Sequence, residues 1–143
     1  MADLTQIRTA LAQQIHTYTG LRAEAQVRDQ VSPPMALVMP STPVVSYGAT
    51  MSGGGETEVT INLAILLLLS DAAPTEKVQR ALDAYLGIGA GETMSIAAAI
   101  NMNPSLGGVV EWCVPMSVTS YSRVDYAAIN YFGATILCQI GAG

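Results

Sequence analysis

The stretch "ETEVTINLAILLLLS" at 56–70 constrains the fold most, because its alternation of side chains makes sense only in an extended chain. Successive side chains of a strand point to opposite faces. Val59, Ile61, Leu63, Ile65, Leu67 and Leu69 then share one face, while Glu58, Thr60, Asn62, Ala64, Leu66 and Leu68 share the other. That second face is polar where the strand begins and apolar where it ends, so the strand starts half-wet and finishes buried on both sides. The apolar run from 61 to 69 has nine residues, Asn62 among them, against the roughly 20 a spanning helix needs, and no membrane span is expected. Leu66 and Leu68 need a cover, supplied either by a helix of the same chain at 75–86 or by a neighbouring subunit.

The flanking segments fit around this strand. "VVSYGATM" precedes it across the glycine tip "SGGG", which reads as a hairpin. Upstream, "SPPMALVMPSTP" is extended between prolines, which confine it to an edge or an irregular ladder end, and "LRAEAQV" reads as a short strand. Leu4, Ile7, Leu11, Ile15 and Tyr18 recur at helical spacing, with Asp3 to cap and Gly20 to stop a helix over 4–18. His16 lies off that stripe and is expected in solvent. "SDAAPTEKVQRALDAYLG" is a second helix, with Pro74 in its first turn, Gly87 at its end and Val78, Ala81, Leu82 and Tyr85 facing inward. "TMSIAAAIN" is a short third helix, stopped by "NPSLGG".

Two strands close the chain, at about 108–120 and 129–140. Val110, Trp112, Val114, Met116 and Val118 are expected on one face of the first, with Pro115 marking a bulge or an edge. Phe132, Ala134, Ile136, Cys138 and Ile140 are expected on one face of the second, and "SYSRVDYAA" between them as an exposed loop. The expected fold is α+β: a single domain over 1–143, with a mostly antiparallel twisted sheet packed by an N-terminal helix, a central helix and a short third helix.

Half of the 143 residues are hydrophobic and only 12% are charged, about half the usual charged share of a soluble protein. So few charges hint that neighbours cover part of the surface, as in permanent assemblies. The net charge of −5 and six scattered basic residues argue against a surface that grips phosphates. The start "MADLTQIRTALAQQ" has no basic segment leading into an apolar core, so no secretory signal is read there.

Little in the chain suggests chemistry. A single histidine in mid-helix gives no Ser-His-Asp or Cys-His set, and no His, Cys or carboxylate pair has metal-ligand spacing. "GIGAGET" at 87–93 follows a helix rather than a strand and lacks the Lys-Ser/Thr end of a phosphate loop. Cys113 and Cys138 read as a reduced, buried pair, although a bond is possible if the last two strands set them opposite. No catalytic, metal or cofactor residues are assigned, and an enzyme is not expected.

The order of segments carries a resemblance. "ADLTQIRTALAQQIHTYTGLRAEAQVRDQVSPPMALVMP", then "VQRALDAYL", "SIAAAI", "SLGGVV", "SVTSYSRV" and "INYFGATILCQI" span nearly the whole chain. In that order they resemble the tail terminator proteins of long-tailed, non-contractile bacteriophages, especially those of actinobacterial hosts. Tyr131-Phe132-Gly133-Ala134 stands at the family's aromatic–apolar–Gly–Ala position. The resemblance implies a ring-forming virion protein, six copies capping the head-proximal end of the tail tube after assembly in the host cytoplasm. The ring would end tube polymerisation and meet the head–tail connector or stopper, with DNA passing through unread. Its partners would be its own copies, the tail tube protein and the connector, with no cofactor and no membrane. Candidate interface residues are Leu66 and Leu68, the tip residues Ser52, Gly53, Gly54, Gly55 and Glu56, and Tyr121, Ser122, Arg123 and Asp125 of the second hairpin end. The alternatives are a head–tail stopper, adaptor or tube subunit of similar build, or a small cytosolic ligand-binding domain using "GIGAGET" or a pocket behind Trp112.

Overall fold

The computed structural model describes residues 3–25, 34–49, 57–70, 75–87, 95–126 and 129–142. Among them the chain runs α1 (Leu4–Thr19), β1 (Arg22–Glu24), β2 (Met35–Ala49), β3 (Thr57–Ser70), α2 (Thr75–Leu86), α3 (Ile96–Met102), β4 (Trp112–Tyr126) and β5 (Ile129–Ala142). The five strands form one mixed sheet in the order β1-β2-β3-β5-β4. β1 pairs parallel to β2 and every other ladder is antiparallel. With its three helices this is a small α+β domain. None of the described helices is long and apolar enough to cross a membrane.

Local chemistry sets the ends of α1. The Asp3 carboxylate accepts from the Gln6 N–H at 2.8 Å while the Gln6 side chain accepts from the Asp3 N–H at 3.1 Å. Both donors would otherwise be orphaned at the helix start. Gly20 ends the helix at φ 77°, a left-handed conformation open to glycine at little steric cost. Ile7, Leu11 and Ile15 are fully buried, but the stripe stops short of Tyr18, which is exposed in the last turn.

The helices pack on one face of the sheet. Ile7, Leu11 and Ile15 of α1, Val78 and Leu82 of α2, and Ile96 and Ile100 of α3 share a core with Ile61, Leu63, Ile65, Leu67 and Leu69 of β3. Phe132, Ala134, Ile136, Cys138 and Ile140 of β5 complete it, as their alternation predicts. Each large apolar side chain sealed here is worth roughly 1.5–3 kcal/mol. On α2 the inward stripe is narrower than expected: Ala81 is exposed and Tyr85 half-buried.

Leu66 and Leu68 point the other way. They are 8% and 0% exposed and cluster with Met35, Leu37 and Tyr131. The register explains the cluster, because Leu37 and Met35 of β2 oppose Leu66 and Leu68 across one ladder. The cover is therefore neither α2, whose Val78 and Leu82 lie in the other core, nor of necessity a neighbour. The chain buries both leucines itself and leaves little of either for a subunit contact.

The end of the chain departs furthest from expectation. Residues 120–126, expected as a loop, continue β4, and their partners run from Ser120↔Thr135 to Tyr126↔Ile129. Tyr121, Val124 and Tyr126 are residue types that favour extended backbone, and β5 offers them a ladder. The expected single face of 110–118 also fails. Met116 and Thr119 are each skipped by the ladder, between Pro115 and Ser117 and between Val118 and Ser120, and each extra residue reverses which side chains share a face. Trp112 and Val114 oppose Gly141 and Gln139, whereas Val118 opposes Ile136 of the core face. A register shift also lies in β2 between Pro40 and Val45, where the Thr42–Pro43 peptide is cis.

Candidate assembly surface

β4 is the last strand in the sheet order, so β5 satisfies one of its sides and the other is an open edge among the described residues. No residue from 112 to 122 is charged. Along this edge Trp112, Val114, Met116, Val118 and Tyr121 are 37–58% exposed. The indole of Trp112 lies on the backbone of Gly141, where an added Cβ would overlap the ring. Met116 borders two clefts. One, of about 180 Å³, is lined by Tyr85, Leu86, Ala97, Val118 and Ile136, and the other, of about 190 Å³, by Thr42, Pro43, Asn62 and Leu137.

Tyr121 ties the strand to the helical layer. Its ring meets Phe132 edge-on, with centroids 5.6 Å apart at 88°, and its hydroxyl donates to the Asp83 carboxylate of α2 at 2.8 Å. Desolvation, reinforced by that hydrogen bond and the nearby negative charge, pushes the phenol up to about 12. One register step away, Ser120 donates to Thr135 across the ladder at 3.0 Å.

Among the described residues, the predicted interface positions fall on two strands, Leu66 and Leu68 on β3 and the others on β4, with β5 between them. Tyr121, Ser122, Arg123 and Asp125 lie within the β4 ladder rather than at a hairpin tip. Ser52, Gly53, Gly54, Gly55 and Glu56 lie outside the described residues, as does most of "GIGAGET". Sequence reading gave an edge at Pro115 as one alternative to a bulge, and the strand has both, but it did not offer the exposed residues 112–118 as an interface. The signal was present as eleven uncharged residues in a row with alternating large apolar side chains, but strand order decides which strand is an edge.

His16 and the two cysteines are each tied to neighbours within the fold. His16 Nδ1 donates to the Leu21 carbonyl at 2.9 Å, beyond the end of α1. Cys113 and Cys138 are buried free thiols on the core face. Cys138 hydrogen-bonds Cys113, and that bond together with burial pushes its thiol far upward, away from the thiolate that reactivity requires. No cluster of three or more His, Cys, Asp or Glu able to hold a metal ion occurs among the described residues. No protein-family model matches the chain, and no curated protein matches it significantly.

Proposed function

We propose that this chain is a structural virion protein that caps the head-proximal end of a phage tail tube. Six copies form a ring that ends tube polymerisation and presents a joining surface to the head–tail connector, and DNA passes through the lumen. The ring is assembled in the host cytoplasm and stays in the virion tail.

One observation carries the reading: the quoted segments that resemble tail terminators, in family order, fall on α1, β1 and β2, then α2, α3, the turn into β4, β4 itself and β5. The open edge of β4, uncharged over residues 112–122, suits a subunit made to be covered by neighbours. The charge of −5 per copy suits a conduit that must not hold DNA, because like charge disfavours contacts with phosphates.

The experiment is to add the purified protein to tail tube protein while it polymerises and to image the product. The expected outcome is short tubes, each carrying a ring at one end and closed to further growth. Tubes of unrestricted length would overturn the reading. If the chain alone grew into long tubes, it would be a tube subunit. If it bound the connector without changing tube length, it would be a stopper or adaptor.

A further inference from the structure

We infer that the open edge of β4 receives the outer edge of β2 from a second copy of this chain, so that successive copies join head to tail into a closed ring. This deepens the ring reading above and rests on it for the number of copies.

The backbone makes the demand. An edge strand presents unpaired N–H and C=O groups, and proteins that stay apart guard such edges with charge, proline, short length or a covering loop. β4 is fifteen residues long, its residues 112–122 carry no charge, and Pro115 removes a single N–H. The opposite end of the same sheet is also open. β1 pairs with β2 only at Met35, Ala36 and Leu37, which leaves residues 38–49 without an outer partner among the described residues. That stretch is also uncharged, and it has no proline after Pro43.

Both open edges therefore belong to one chain and lie at opposite ends of one sheet. A two-fold pairing of β4 with β4 would leave the β2 edges bare. Pairing β4 with β2 of the next copy covers both, and such a head-to-tail contact generates rings when its rotation closes. Met116 and Val118 stand beside the 180 Å³ cleft, which can accept a side chain of the incoming strand.

Area decides between a ring and a dimer. A ladder of about six residues is about 20 Å long in a sheet about 10 Å thick, so the strands themselves bury on the order of 400 Å² over both partners. Lasting pairwise complexes bury about 1,200–2,000 Å². A two-copy contact of this kind would fall apart, whereas in a closed ring every copy is held at both edges at once and the contacts reinforce one another.

The test compares the wild-type chain with Met116→Lys/Val118→Lys by native mass spectrometry, with circular dichroism and thermal melting to confirm folding. Both side chains are exposed, so the variant should fold as the wild type does. The expected result is a ring for the wild type and a monomer for the variant at the same concentration. A second measurement places Cys at Ser46 and Ser117 and adds a short bismaleimide. The double variant should give a cross-linked ladder up to the ring number, and Ser117→Cys alone should give no dimer. Dimers from Ser117→Cys alone would overturn head-to-tail pairing. Rings that survive in the Lys variant would overturn the edge assignment while leaving the terminator reading standing. Rings that need this edge but leave tube length unchanged would sink the terminator reading and keep the edge. A wild-type monomer at high concentration would end both.

Discussion

At Gly133 a methyl group would occupy the space of the Leu67 carbonyl oxygen. β5 approaches β3 so closely there that the position tolerates no side chain. Gly133→Ala should cost about 3 kcal/mol, the upper end for an overpacked site, measured as a drop in the urea midpoint at unchanged slope. The sequence shows this glycine inside an aromatic–apolar–Gly–Ala motif, but the carbonyl that demands it lies 66 residues earlier and is visible only in the register. Tyr121 gives a prediction in alkali. Its folded-state phenol is raised from 10.0 to about 12, so from pH 10 upward the unfolded chain loses that proton before the folded one does. The stability this group contributes is complete below pH 10 and is lost as pH rises through about 12. Tyr121→Phe should flatten that decline. A variant that lost stability as steeply as the wild type between pH 10 and 12 would show that the Asp83 contact does not hold the proton.

Among the elements, α1 and α3 are joined by a buried polar clamp. Gln14 donates from its side-chain nitrogen to the carbonyls of Ala99, Ile100 and Asn103 at 2.9, 3.1 and 3.0 Å. The last carbonyls of a helix lack intrahelical partners, and here a residue of another helix supplies one. Gln14→Ala should therefore cost about 1–3 kcal/mol, since the Ala99 carbonyl loses its donor, while those of Ile100 and Asn103 keep the backbone N–H groups of Asn103 and Leu106. Hydrogen exchange should quicken in α3 before it does in β3 or β5, and uniform protection would refute the clamp. The helices and β3 were legible because their spacing is local: Ile7, Leu11 and Ile15 repeat on a helical face, and Ile61 to Leu69 alternate. β4 was legible only in part. Its two bulges depend on how Pro115 and its neighbours meet β5, and its polar second half resembles a loop until a partner strand is in place.

For the whole molecule, what the sequence leaves open is which surfaces face outward. Leu66 and Leu68 carried the strongest apolar signal, yet the chain buries them itself against Met35, Leu37 and Tyr131. Residues 112–122 carried a weaker signal and form the exposed edge, because exposure follows from strand order and strand order from long-range pairing. An edge without charge also predicts how assembly responds to salt. Raising ionic strength screens charged contacts but leaves ladder hydrogen bonds and apolar burial in place. The mass of the assembled species should stay the same from low to high salt, and dissociation by salt would point to a charged interface elsewhere.

Trp112 is the chain's one tryptophan, and it begins the open edge with its indole resting on Gly141. That placement makes it a native optical reporter. A neighbour laid along β4 would dry the ring and move its emission to shorter wavelength, so a dilution series read at the fluorimeter should trace how copies meet and part, without any attached dye. An emission maximum that never shifts while the mass changes would place the contact on some other surface of the subunit.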